Sequence, residues 1–352
     1  MYTYLRKQYL LSIIFLLSCV IFLTSCNTKE VKTNVTPLSR TEFLLGTVVT
    51  ISLYDQQSEE LLDLALNKLK ELEDTLSINK TGTLIDKINE SAGISPVVVD
   101  EDTYHVIEKG LNYSKLTDGA FDITVGPIVK LWNIGFPEAR VPAPSEIEQA
   151  LPLVGFNQVI LNSDDLSVYL VDEGMQLDLG GIGKGYAADE VATLLRENGV
   201  NHAIIDLGGN IYTLGDKPGN KLWTIGVQDP FNPRGKIIGQ LKVANKSVVT
   251  SGVYERFIED ESGNKYHHIL NPKTGYPYDN QIAGVTIISD SSTDGDALST
   301  AVFAMGVDEG LAFVETLDGI DAIFITLDSK VYTTDGIKEQ FTLTNPSFTL
   351  AN

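Results

Sequence analysis

Along most of the chain, apolar residues recur at the spacing of alternating strands and helices. Residues 42–54, EFLLGTVVTISLY, form a β-like run, and Leu62, Ala65, Leu66, Leu69, Leu72 and Leu76 then fall on one helical face, predicting a helix over 58–76. A second helix is expected over 101–117 and a short one from 145, with Ser145 ahead of Glu148 as its cap. Strands follow near 157–162 and 167–171, an amphipathic helix at 184–198, and a buried strand in HAIIDLGG. Strand-rich segments WTIGVQ, IIGQLKV and KSVVTSG lead to a hairpin in which ESGN turns between RFIED and KYHHIL. The pattern closes with the strand AGVTIIS, one long helix from DALSTAVFAMGVDEGLAFVETL, and a hairpin in DAIFITLDSKVYTT. With no internal repeat, low-complexity tract or composition break inside 41–345, this predicts a single α+β domain with subdomains.

The first 25 residues stand apart. Arg6 and Lys7 precede the run LLSIIFLLSCVIFLTSC, which has the layout of a secretion signal. An uncleaved membrane helix is the alternative, since the run approaches the roughly 20 residues that span a bilayer. Leu23-Thr24-Ser25-Cys26 fits a bacterial lipobox, which favours cleavage and a lipid on Cys26. The chain has only Cys19 and Cys26, so cleavage and lipidation would leave no thiol for redox chemistry. The expected organisation is therefore a signal peptide over 1–25, a lipidated Cys and polar tether over 26–40, a domain over 41–345 and a tail over 346–352. The protein would sit on the extracytoplasmic side of a cell membrane, held to the lipid bilayer through Cys26.

Charge narrows the partners. The formal net charge is −21 before Arg6 and Lys7 are removed, a sign that repels phosphodiester backbones, so no nucleic-acid partner is expected.

Four segments carry candidate chemistry. The stretch Gly180-Gly181-Ile182-Gly183-Lys184-Gly185 could bring backbone amides to an anion at a helix start, yet it has neither P-loop nor dinucleotide-fingerprint spacing. Taken alone it is equally a tight strand-to-helix turn. Asp294, Asp296 and Thr300 lie near the start of the last long helix, and Asp296 and Thr300 share a face as i and i+4. One carboxylate beside one hydroxyl suits Mg2+; a plain helix cap at Thr293, Asp294 or Asp296 is the alternative. Tyr266 to Gly275 contains His267 and His268 on a strand end, too thin a ligand set for zinc, and at most one of two adjacent strand histidines should line a site. Asp118 to Pro127 reads as a helix stop and turn, with Asp122 as a loop acceptor.

Together and in order, these segments resemble the ApbE family of flavin transferases, FAD:protein FMN transferases, over essentially all of 41–345. The matching pieces are LLGTVVTI, DGAFDITVGPIVKLW, LDLGGIGKGYAAD, IIDLGGNIY, VVTSGVYERF, YHHILNPKTGYP and the helix start DGDALSTAVFAMG. The resemblance implies an ApbE-like, T-fold-like arrangement of mixed sheets with packed helices. It implies FAD contacts from Ala120, Phe121, Asp122, Asp178, Lys184 and Ile269, with Leu45 lining the pocket where the family usually has Met. Mg2+ would be held by Asp296, Thr300 and the carbonyl of Gly181. The implied reaction moves FMN from FAD to a threonine of an exported or membrane acceptor protein and releases AMP. His268 is the candidate base, with Asp122 or a carboxylate near the metal as alternatives. Hydrolysis of FAD to FMN and AMP, or flavin binding without catalysis, would use the same pocket.

Overall fold

The apolar run at 42–54 yields the end of one strand and the whole of another. In the computed structural model, which describes residues 35–352, β1 (Leu38–Leu44) and β2 (Thr47–Leu53) pair antiparallel with Leu44 opposite Thr47. The two turn residues, Leu45 and Gly46, have φ of 53° and 68°, both left-handed, as a type I′ hairpin turn requires. Alternation continues through the turn, so only Gly46 marked it in the sequence. Residues 38–40, assigned to the tether in the sequence, belong to β1, where Leu38 pairs with Leu53. Cys26, the leader before it and residues 27–34 of the tether lie outside the described residues.

Helix α1 (Glu59–Leu76) is capped by Ser58 and buries the six predicted apolar residues. After α2 (Leu84–Glu90) and β3 (Val97–Val98), α3 (Glu101–Leu116) starts at Asp100, whose side chain accepts from Thr103 N. Helix α4 (Gly126–Trp132) follows, then α5 (Pro144–Ala150). The predicted cap at Ser145 is corrected here: Pro144 opens the helix, and Glu146 reaches back to accept from Ala143 N at 2.8 Å. Strands β4 (Val159–Asn162) and β5 (Ser167–Leu170) join β3 in a small sheet of order β3-β5-β4.

The main sheet assembles from the rest of the chain. After α6 (Gly183–Glu197) come β6 (Ala203–Leu207), β7 (Asn210–Leu214), β8 (Trp223–Gln228), β9 (Ile237–Val243) and β10 (Ser247–Gly252). The hairpin β11 (Phe257–Glu259) and β12 (Lys265–His267) precedes β13 (Ile282–Ser289). The long helix expected next is two helices, α7 (Ser292–Met305) and α8 (Val307–Val314), broken at Gly306, whose φ of 84° leaves the helical region. The chain ends with β14 (Asp321–Thr326), β15 (Lys330–Thr333), β16 (Phe341–Leu343) and β17 (Thr349–Leu350).

Nine strands order as β1-β2-β6-β7-β10-β13-β14-β15-β17, antiparallel except for β15 with β17. Helices cover one face: Leu62, Leu66 and Leu69 of α1 and Val191 of α6 share a core with Ile51 and Ile205. Leu298, Val302 and Phe303 of α7 pack on Val285, Ile287 and Phe324. A three-stranded sheet, β16-β9-β8, covers part of the other face through Ile225, Ile238 and Leu241 against Val248, Ile288 and Ile323. This is the α+β architecture expected from the patterning, with the mixed sheets and packed helices that the resemblance implies. Residues 346–352, set apart above as a tail, contribute β17 and the buried Phe348, because β15 needs an edge partner and the β8-β9-β16 core an apolar neighbour. Among the described residues no helix is long and apolar enough to cross a membrane.

Candidate active site

The glycine stretch is held at both ends. Asp178 N donates to the carbonyl of Ile123 at 2.7 Å, and Asp178 Oδ1 accepts from Gly180 N at 2.7 Å, so the chain turns before α6 begins at Gly183. At Gly185 the next helix comes too near for any side chain, since a Cβ there would stand 2.2 Å from the carbonyl oxygen of Ser292. That approach joins the glycine loop to α7. Gly185 N donates to Asp296 Oδ2 at 2.9 Å, and Lys184 Nζ stands 3.5 Å from Asp296 Oδ1. Asp296 is only 3% exposed, so its charge is compensated by these two groups rather than by water. A Cβ on Gly181 would meet Phe121 at 3.0 Å and Thr300 Oγ1 at 3.4 Å. Gly181, Lys184, Asp296, Thr300 and Phe121 therefore form one constellation.

A residue with no assigned role in the sequence sets the angle of α7. Asp189, on α6, accepts from Ser292 N at 2.8 Å, Thr293 N at 2.9 Å, Ser291 Oγ at 2.8 Å and Thr293 Oγ1 at 2.6 Å. The local cap is Ser291, whose side chain accepts from Asp294 N. Neither Asp294 nor Asp296 is the cap, which leaves Asp296 free to act within the site. Asp294 goes elsewhere: it faces α3, 3.7 Å from Lys109 Nζ, and burial together with that nearby carboxylate pushes the Tyr113 phenol upward. Positions i and i+2 of a helix point apart, so the pair does not act together.

Asp122 behaves as the loop acceptor its sequence context suggested. Its Oδ1 accepts from Thr124 N at 2.8 Å and Thr124 Oγ1 at 2.7 Å, and Oδ2 accepts from Phe156 N at 3.3 Å. Burial pushes its carboxyl upward, but these committed oxygens leave it poorly placed as a proton acceptor. The carbonyl of Ala120 accepts from Tyr278 OH at 3.3 Å, and Ile269 is buried where Tyr278 packs. Ala120 and Ile269 thus meet through Tyr278.

The two histidines divide as adjacent strand residues should. His267 Nε2 donates to the carbonyl of Tyr278 at 2.8 Å while Nδ1 accepts from Ile269 N at 3.2 Å, so both ring nitrogens are committed to structure. His268 follows the end of β12. Its backbone amide donates to the carbonyl of Arg256 at 3.1 Å, and its Nδ1 lies 3.2 Å from the same oxygen. A carbonyl can only accept, so this contact places the proton on Nδ1 and leaves the Nε2 lone pair available. Desolvation, with Arg256 and Lys184 nearby, lowers its pKa from the ordinary 6.5 to about 4. The ring is neutral near pH 7. Asp178 is pushed upward by burial, against the pull of Gly180 N, Arg256 and Lys184.

Leu45 reaches this region through its turn. Its amide donates to Glu73 Oε1 at 3.0 Å, fixing the hairpin on α1, and a Cβ on the adjacent Gly46 would be 3.7 Å from Arg256 Nη2. Arg256 and Asp189 were not singled out from the sequence, because a single polar residue on a strand end or helix leaves no periodic trace. Only the motif around Arg256 pointed there.

A glycine loop, a lysine and a buried carboxylate with a hydroxyl beside it make this an α+β protein with a site suited to a phosphate-bearing ligand. The chain belongs to the ApbE family, whose model matches residues 45–324. It is 42% identical over 283 residues to the FAD:protein FMN transferase of Klebsiella pneumoniae, covering 80% of this chain and 87% of that one. The FAD:protein FMN transferase of Treponema pallidum is 37% identical over 329 residues, covering 89% and 91%. The crystal structure of an ApbE protein from Thermotoga maritima superposes with a TM-score of 0.80 at 34% identity, covering 87% of this chain and 99% of that one.

Proposed function

We propose that this protein is an FAD:protein FMN transferase that esterifies a threonine of an acceptor protein with FMN and releases AMP. The transferase reading follows from family membership and the relatives named above. The observation that carries the site is the junction of the glycine loop with α7, where Lys184 and Gly185 both engage Asp296.

The residues present fit a Mg2+ ion. Asp296 Oδ1 faces only a lysine at 3.5 Å, Thr300 Oγ1 borders Gly181, and with the Gly181 carbonyl all the donors are hard oxygens. Among the described residues there is no cluster of three or more His, Cys, Asp or Glu that could hold a metal. A one-carboxylate set is the kind that Mg2+ completes with water and substrate phosphates. Bound there, Mg2+ would supply charge neutralisation for the diphosphate.

The chain's own groups account for the rest. Lys184 presents its ammonium to the diphosphate, the loop around Ala120, Phe121 and Asp178 with Ile269 holds the nucleotide, and Leu45 closes the pocket at the hairpin. His268 Nε2 takes the proton of the attacking hydroxyl as the threonine oxygen bonds to the FMN phosphorus. The bond from that phosphorus to the bridging oxygen breaks, and AMP departs with it. We further propose that Cys26 carries lipid and holds the enzyme on the extracytoplasmic side of the membrane, where an exported or membrane protein would be the acceptor.

The test mixes the mature domain, FAD and a threonine-bearing exported protein with and without Mg2+, reading AMP and intact protein mass. An FMN-sized mass gain that needs Mg2+ and falls about 100-fold or more in Asp296→Ala supports the proposal. AMP without the adduct would mean hydrolysis, and neither product would mean flavin binding only.

A further inference from the structure

The reaction scheme leaves Arg256 without a role, although three parts of the fold converge on it. It stands immediately before β11, within the VYERF segment, and its side chain is exposed. A Cβ on Gly46 would lie 3.7 Å from its Nη2, and one on Gly135 would lie 3.0 Å from its Cδ and 3.8 Å from its Nε. The guanidinium therefore runs between the β1–β2 turn and the loop after α4. Its positive charge is felt by both Asp178 and His268. Its backbone carbonyl is the oxygen that His268 contacts through both its amide and Nδ1. Residue 256 is thus tied to the base by its main chain and extends a cation over the same region with its side chain.

No acid claims that cation. Among the described residues Arg256 has no carboxylate within 4.0 Å, and the acid next to it in sequence, Glu255, pairs with Arg234 at 2.9 Å. In a chain of net charge −21, an unpaired guanidinium that acts, like Lys184, on both Asp178 and His268 is a place for an anion. Asp178 feels that charge without being in ion-pair contact with it, and its Oδ1 accepts from Gly180 N at 2.7 Å.

We propose that Arg256 is a binding residue for the substrate diphosphate, acting with Lys184 and presenting a planar donor fork to phosphate oxygens. The inference rests on the flavin-transfer reading for the identity of the substrate. A purely structural role, in which Arg256 only braces the hairpin that carries His268, is the competing account.

Calorimetric titration of the purified mature domain with ADP and, separately, with riboflavin tells the two apart. In Arg256→Gln, ADP affinity is expected to fall about 10- to 100-fold while riboflavin affinity changes less than about twofold. Arg256→Lys should recover part of the ADP affinity, since it restores charge without the fork. In AMP-release assays the Gln variant should raise the KM for FAD. Unchanged ADP binding in Arg256→Gln, or an equal loss for riboflavin, would overturn the proposal. AMP release by the unaltered enzyme judges the transfer reading separately: its absence with ADP still bound would remove the reaction and leave the Arg256 comparison valid.

Discussion

The backbone amide of Gly185 donates to Asp296 Oδ2 at 2.9 Å, joining positions 111 residues apart. The carboxylate that faces the ligand region is thereby fixed by the same turn that presents Lys184. A site held this way needs little rearrangement to receive charge, which is the condition under which electrostatic stabilisation is strongest.

Gly185→Ala should break this junction. The new methyl would meet the Ser292 carbonyl at 2.2 Å and Asp296 Cβ at 2.8 Å, forcing α6 and α7 apart. A loss of about 2–3 kcal/mol of stability is expected, read as a lower denaturation midpoint in guanidinium. An unchanged midpoint would mean that the helices separate freely.

Removing Asp189 acts on the same contact from the other side. Asp189→Ala strips four hydrogen bonds from the first turn of α7 and leaves the amides of Ser292 and Thr293 without that acceptor. The expected cost is about 3 kcal/mol, with Asn restoring part of it because its side-chain oxygen can still accept. Equal stability of the Ala and Asn variants would count against this account.

The pH dependence follows from His268. Its folded pKa, about 4, lies below the ordinary 6.5, so the unfolded chain holds the proton more tightly. Its contribution to stability is present above pH 6.5 and declines as the pH falls toward 4. As the base, it predicts an acid limb of kcat/KM well below pH 6.5 in the free enzyme. His268→Ala should lose transfer by about 100-fold or more and lose that limb, whereas FAD affinity should persist. A limb that survives the substitution would assign the base elsewhere.

Cys26→Ser tests the anchor. Expressed with its leader in a bacterium, the chain should partition into detergent, and the Ser variant should remain in the aqueous phase and lack the added acyl mass. An aqueous wild-type chain would exclude lipidation.

The helices over Glu59–Leu76, Glu101–Leu116 and Gly183–Glu197 were legible because their apolar residues repeat over several turns, as in Leu62 to Leu76. The β1–β2 turn was not, since Leu45 adopts a left-handed φ that its side chain gives no reason to expect. The break at Gly306 was hidden for a related reason: apolar residues continue on both sides, and one glycine decides. In the site, the quoted motifs pointed to the residues that meet at the α6–α7 junction. Asp189 and the reach of Arg256 depended on tertiary geometry that spacing does not encode.

The meeting of α6 with α7 also has a temporal meaning. A chain growing from the ribosome would present the glycine loop more than 100 residues before Asp296 and Thr300 appear. Until α7 has emerged and docked on Gly185, no intermediate length of the polypeptide contains a complete site. Newly made protein would therefore be chemically silent toward flavin during synthesis, and would gain activity in one late step rather than by degrees.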